Sequence, residues 1–210
     1  GTIGSITWLA VNKHQVGRIR HGLVVACVGD RGVMHYKKSR HGDAEIDQAV
    51  MHVLNHAGQD HVVMDFLPYG YDERQYSSPG FDLKVGCLSR TPHGKFPEYH
   101  TSADNLELIS ADALDDSYQK YLQVIDVIEA NQCYWNTSPF GEPQLGSRGL
   151  YGAFGGRKDS NEYEMAMLWV LNLSDGDHSL LEIAETSGTA FRFISEAAET
   201  LLEHGLLREA

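Results

Sequence analysis

The chain has 210 residues, of which 42% are hydrophobic, 22% charged and 10% aromatic, and its formal net charge is −12. That composition supplies a core and excludes general disorder, and the length allows one large domain or a medium one with a small one. The acidic balance disfavours nonspecific binding to nucleic acid or an anionic membrane, and no apolar run approaches the ~20 residues of a membrane span.

Residues 3–12 (IGSITWLAVN) read as a helix with Ile3, Ile6, Leu9 and Ala10 on one face. Residues 14–21 form a polar, basic connector. Residues 23–28 (LVVACV) form a continuous apolar run of strand length, ending abruptly at Gly29-Asp30-Arg31-Gly32. A strand apolar on both faces implies a sheet covered by helices on both sides. Open α/β sheets place ligands at strand carboxyl ends, so Asp30 is a candidate ligand; an Asp in a Gly-flanked turn is also an ordinary turn residue. A second strand follows at 34–37. Asp43 is expected to cap a helix over 44–57, whose apolar positions recur at helical spacing and which Gly58 ends. His52 and His56 lie four apart on it, as a ligand pair or as residues flanking the apolar stripe. The next strand is 61–66.

The stretch 65–105 (DFLPYGYDERQYSSPGFDLKVGCLSRTPHGKFPEYHTSADN) organises the chain. Pro68, Pro79, Pro92 and Pro97 fix φ along it, which predicts an ordered loop region around one strand, 84–89. Asp72 and Glu73 precede that strand, and His100 and Asp104 follow it. Carboxylates and imidazole held by rigid loops suit a hard-metal or zinc site, or a structural loop whose acids cap helices. A long helix then runs to about Ala130, with Leu114, Tyr118, Tyr121, Leu122, Ile125 and Ile128 as its expected buried face.

Residues 132–158 lose periodicity and read as a linker, in which Gly155-Gly156-Arg157-Lys158 resembles a phosphate loop weakly. The tail reads as helical: 163–173, 179–186 and 189–204, with a tight turn at Ser187-Gly188 in helix-turn-helix spacing. Gly205-Leu206-Leu207 could begin a strand. The three cysteines, Cys27, Cys87 and Cys133, are odd in number and far apart, and read as free thiols of a reducing compartment.

The strings GLVVACVGD, YKKSR, PYGYDERQYSSPGF, FPEYHTSADN, EPQLGSRGLY and LWVLNLSDG together resemble the aminopeptidase-like proteins of unknown function related to co-catalytic zinc aminopeptidases, which end in a small winged helix-turn-helix. The resemblance covers essentially the whole chain. It implies a mostly parallel sheet covered by helices, with metal ligands on loops at strand ends. The usual ligand set of that clan is a His, a bridging Asp, a Glu, a second Asp and a final His. Asp30 looks like the second Asp and His100 like the final His, with Asp104 orienting His100 or capping a turn. Tyr71-Asp72-Glu73 resembles the loop that lines the substrate pocket. The remaining ligands and the general-base glutamate would lie upstream of Ile3, where this sequence reads Gly1-Thr2. By that resemblance the chain looks like the carboxyl-terminal portion of a longer protein.

The resulting expectation is an α/β domain over 1–131, a linker over 132–160 and an all-α, winged-helix-like module over 161–210. As function, it is a portion of a zinc-dependent aminopeptidase-like hydrolase acting on a peptide or amide bond, incomplete on its own. Asp30 and His100 would contact zinc, and Asp72 and Glu73 would position substrate or a proton. The alternative is a non-catalytic binding or assembly protein on the same scaffold; a transcription factor acting through the tail is a third reading. The expected partner is a peptide-like or amide small molecule, with no nucleic acid or membrane, a possible homo-oligomer and a cytoplasmic location.

Overall fold

The computed structural model describes residues 2–150 and 160–210, so the glycine-rich run at 155–158 lies outside the described residues. The chain divides into two compact units, 1–125 and 126–210.

The first unit is built on a four-stranded sheet of β1 (Gly22–Val25), β2 (Met34–Lys37), β3 (His61–Met64) and β4 (Val85–Ser89), in the order β1-β4-β2-β3. β1 runs parallel to β4 and β2 parallel to β3, while β2 and β4 meet antiparallel. The expected mostly parallel α/β sheet is therefore present, with one antiparallel junction at its centre. β1 stops at Val25, short of the expected strand. Its continuation turns away at Cys27, where φ is 49°, and the Cys27 carbonyl instead accepts the Arg90 amide at 2.8 Å.

Register decides which side chains share a face. Val24 and Lys37 both lie opposite Cys87, so these three project to one side, and Tyr36 and Leu88 project to the other. On the Tyr36 side packs α2 (Glu45–His56). Its N-cap is Ala44 and not Asp43, because the buried Asp47 carboxylate accepts the Ala44 amide at 3.0 Å. Asp47 also accepts from Tyr36 OH at 2.7 Å and from Ser39 N and Oγ at 2.7 and 2.6 Å. Burial, then the neighbouring Asp47 carboxylate, raises the Tyr36 phenol well above its ordinary pKa.

On the Lys37 side lie α1 (Thr2–Val11) and the short α3 (Glu73–Tyr76), with Leu9, Leu83 and Val85 as a buried cluster between them and β4. α1 is turned from the expected face. Leu9 and Ser5 are buried, while Ile3 and Ile6 are exposed. The helix α4 (Ala111–Ala130) is turned likewise: Ala113, Ser117, Lys120, Val124 and Val127 are buried, and Leu114, Tyr118 and Ile125 are exposed. Its polar residues can face inward because each has a partner. Arg90 donates from Nε to Ala113 O and Ser117 Oγ, and pairs with Asp116, which also pairs with Lys120. Burial alone would raise the Asp116 pKa, but hydrogen bonds and charge from Lys120, Gln59 and Arg90 lower it.

In the second unit β5 (Cys133–Asn136) lies within the stretch read as a linker, and is the middle strand of a three-stranded sheet between β6 (Asp175–Ser179) and β7 (Leu207–Glu209). The helices are α5 (Ser160–Leu173), α6 (Leu180–Ser187) and α7 (Phe191–Glu203). Ser179 caps α6, accepting the Glu182 amide at 3.3 Å while Glu182 Oε2 accepts the Ser179 amide at 2.8 Å. Gly188, at φ 67°, ends α6. This is a winged helix-turn-helix arrangement: β7 falls where Gly205-Leu206-Leu207 could begin a strand, while β5 and β6 are additional to the helices expected there. Aromatic and apolar residues in Cys133–Asn136 favour the pleat, but four residues are too few for alternation to show. Among the described residues no helix is long and apolar enough to cross a membrane.

Candidate functional site

Lys37 is the last residue of β2, and its ammonium nitrogen has three acceptors. It donates to Tyr69 O at 2.8 Å, to Leu67 O at 3.4 Å and to Glu73 Oε1. The side chain of Glu73 is fully buried and that of Lys37 is 10% exposed. One buried cation thus fixes the course of the loop from Leu67 to Glu73. The same Glu73 oxygen accepts the Tyr71 amide at 3.1 Å. Gly70 makes this closure possible: its φ is 152°, and a Cβ there would collide with Glu73 Oε1 and Lys37 Nζ. Lys37 and Gly70 escaped the sequence reading; the one available signal was a lysine in an otherwise core-facing strand.

The loop so held presents an aromatic and polar wall. Tyr71 OH lies 2.9 Å from Cys27 Sγ, and burial, then this hydrogen bond, raises the Tyr71 pKa above the phenol's ordinary value. Burial, then the Glu73 charge, pushes the Cys87 thiol up to about 12, so Cys87 is not a ready nucleophile. The His93 ring packs edge-on against Tyr71 at 4.6 Å between centroids, with Tyr69 at 5.6 Å and Tyr99 at 6.0 Å. The loop and this histidine carry four solvent-shielded atoms with no hydrogen-bond partner: Asp72 Oδ1, Glu73 Oε2, Arg74 Nε and His93 Nδ1. Such atoms are costly in a folded protein, and their gathering in one place marks a site built to meet something else.

The remaining predicted ligands are placed otherwise. Asp30 Oδ1 accepts from Gly32 N at 2.8 Å and Thr91 Oγ1 at 2.6 Å, and its Oδ2 from Thr91 N at 3.2 Å. It ties the turn after β1 to the end of β4, the turn role being the one the geometry displays. His100 is exposed, adopts φ 59° and stacks on Tyr99 at 4.0 Å. Asp72 and Glu73 are neighbours, and the turn after β1 reaches their loop through Cys27 and Tyr71, but the Asp30 carboxylate itself is taken up by Gly32 and Thr91. His52 is buried and its ring lies 4.2 Å from that of the exposed His56, whose Nδ1 sits 3.0 Å from the His52 carbonyl, so the pair straddles the edge of the buried face of α2. Among the described residues no group of three or more His, Cys, Asp or Glu side chains is placed to hold a metal ion. Zinc therefore does not fit this donor set by itself.

Residues 1–131 match a family described as a domain of unknown function (DUF4910), and residues 132–209 match a winged helix-turn-helix family. The chain belongs to the DUF4910 family. A Clostridium acetobutylicum protein named for polysaccharide biosynthesis and an aminopeptidase-like domain is 53% identical over 207 residues, which is 99% of this DUF4910 chain and 48% of that protein. The chain thus spans about half the length of that relative. A crystal structure of a C. acetobutylicum protein named as a peptidase superposes with a TM-score of 0.91 at 51% identity, over 100% of this chain and 46% of the other. An aminopeptidase from Aneurinibacillus sp. strain AM-1 superposes with a TM-score of 0.50 at 15% identity, over 60% of this chain and 30% of its own, a likeness of fold alone. The DUF4910 chain carries a peptidase-like scaffold followed by a winged helix.

Proposed function

We propose that this chain is the carboxyl-terminal portion of an aminopeptidase-like hydrolase that cleaves a peptide or amide bond, and that Asp72 and Glu73 position its substrate. The observation that carries this reading is the pair of shielded, unpartnered carboxylate oxygens, Glu73 Oε2 and Asp72 Oδ1, on a loop fixed by Lys37 and walled by tyrosines. Glu73 is neutralised on one oxygen and free on the other, which suits an acceptor for an amine or amide N–H. Zinc is the metal this reading implies. Since the described residues do not make a zinc site, its donors come in this reading from the rest of a longer protein, with Asp30 and His100 only contributing. An odd number of cysteines spread far apart in the sequence agrees with the cytoplasmic location that goes with it.

A second reading, a non-catalytic binding or assembly protein, is favoured by one observation: the Asp30 carboxylate is already occupied by Thr91 and Gly32. The deciding experiment measures metal content and aminoacyl or amide turnover for this chain beside the longer protein, with Asp72→Asn and Glu73→Gln made in the latter. The hydrolase reading expects little zinc and no turnover in this chain. In the longer protein it expects turnover that each substitution lowers by about a hundredfold. Stoichiometric zinc and turnover in the short chain would show the ligand set to be misplaced. Absence of turnover in both proteins would favour assembly.

A further inference from the structure

Arg74 stands beside two carboxylates in sequence and pairs with neither. Glu73 Oε1 is taken by Lys37 and the Tyr71 amide, and Asp72 Oδ1 has no hydrogen-bond partner at all. Among the described residues Arg74 makes no ion pair or hydrogen bond. Its one recorded contact places the guanidinium carbon 6.0 Å from the centroid of the Tyr69 ring, and its Nε is shielded from solvent. A guanidinium is always charged and offers a planar fork of donors, so leaving it unpaired while partly buried is costly. A second orphan nitrogen belongs to His93, whose Nδ1 is shielded and unpartnered and whose ring packs against the same Tyr69 ring. Tyr69 is itself 70% exposed, so its ring can move without opening the core.

We infer that Arg74 and His93 form an oxyanion subsite that takes the carboxylate of the substrate. This rests on the hydrolase reading above and narrows it. With Asp72 and Glu73, beside Arg74 in the same loop, accepting an ammonium, the site suits a short zwitterion, an amino acid or dipeptide with both charged ends free. It does not suit a long chain or a neutral amide. Arg74 supplies the fixed charge, and His93 joins it through Nδ1 when that nitrogen carries the proton, its ring held by the surrounding tyrosines. Recognition of the carboxylate excludes substrates that lack it, because those would leave both donors buried and unpaired.

The test uses the full-length protein containing this chain and ligands with no bond to cleave. Calorimetric titration compares L-phenylalanine with L-phenylalaninol, which keeps the ammonium and lacks the carboxylate, and with inorganic phosphate. Phenylalanine should bind about tenfold more tightly than phenylalaninol, in line with one charge-assisted contact. Arg74→Gln should abolish that preference, Arg74→Lys should retain part of it, and His93→Asn should reduce it. The His93→Asn result carries the test if Arg74→Gln does not fold. Equal binding of the two ligands by the unmodified protein, or a preference that survives Arg74→Gln, overturns the subsite. Phosphate binding that depends on Arg74, without preference for phenylalanine, assigns the donors to a free anion and overturns the substrate carboxylate. Turnover is measured separately on L-phenylalanyl-glycine and its carboxyl-terminal amide. A tenfold binding preference without turnover of either keeps the subsite and removes the hydrolase. Equal turnover and equal binding remove the subsite and keep the hydrolase.

Discussion

Replacing Lys37 by methionine isolates the ion pair on which the site loop hangs. The change keeps an unbranched apolar stem one heavy atom shorter and removes every donor, so Glu73 loses the cation on Oε1 and Tyr69 O and Leu67 O lose an N–H. With Glu73 fully buried and Lys37 10% exposed, solvent can take up little of the loss. Breaking a buried pair by removing one partner costs about 3–5 kcal/mol. Amide hydrogen exchange in β4 reports it, because Cys87 faces Lys37 across the ladder. At about 1.4 kcal/mol per tenfold, exchange limited by opening of the unit should speed up by roughly a hundredfold to several thousandfold. The double variant Lys37→Met with Glu73→Met replaces the pair by apolar groups of similar size, and should recover to within about 1–2 kcal/mol of the starting protein. A loss under about 1 kcal/mol in Lys37→Met, or a double variant as unstable as the single one, would refute the claim that this pair holds the loop.

Gly70→Ala should destabilise the first unit by at least about 2 kcal/mol, since the new methyl has no room and the backbone is strained. Gly80→Ala, with nothing within 4 Å of its Cβ, should stay within about 0.5 kcal/mol; a thermal-shift comparison of the two separates crowding from loss of a glycine. The winged helix should not bind DNA: residues 162–210 carry ten acids against Arg192 and Arg208, a net −8, and Arg192 lies against Phe193 at 4.6 Å. Submicromolar, salt-sensitive binding in a low-salt titration, lost on deleting residues after 160, would instead indicate a regulator. Asp175 should titrate at about 2 by carboxyl NMR, because His178 Nδ1 lies 2.9 Å from its Oδ2 and two backbone amides donate to it. Its folded pKa is depressed, so the small stability it adds is present above the unfolded value and lost as pH falls through about 2. The His178 pKa is raised, so its share is present below pH ~6.5 and lost as pH rises past the folded value. His178→Ala should move the Asp175 midpoint upward, and an unmoved midpoint would assign the shift to the backbone amides alone.

Much of the fold was legible because apolar runs and turn residues locate strands. β2 falls where the run predicts, and β4 begins one residue later than expected. What misled was treating polarity as exposure. On α4 the inward positions are Ser117 and Lys120, acceptable only because Arg90, Asp116 and Gln59 meet them there. On α1 the apolar Ile3 and Ile6 lie exposed. In the site, Asp72 and Glu73 stood out as adjacent acids in a proline-fixed loop. Arg74 next to them, Lys37 and His93 did not, because their significance depends on partners that are far away in sequence or missing altogether. Asp30 shows the converse: its position after a strand suggested a ligand, and Thr91, from across the fold, occupies it.

The strand order has a consequence for how the first unit is made. β4 is the last strand to be synthesised and lies between β1 and β2, so among the described residues β1 has no partner in the sheet until residue 85 and beyond have left the ribosome. The β2–α2–β3 segment can form early as a local unit, while β1 waits about sixty residues for its neighbour, its backbone donors unpaired. Contacts of such sequence separation form slowly and leave strand edges open meanwhile. A chain arrested before Ser89 should thus be the most aggregation-prone of its nascent lengths, and arrest just past β4, with enough residues to clear the exit tunnel, should be the shortest to resist proteolysis.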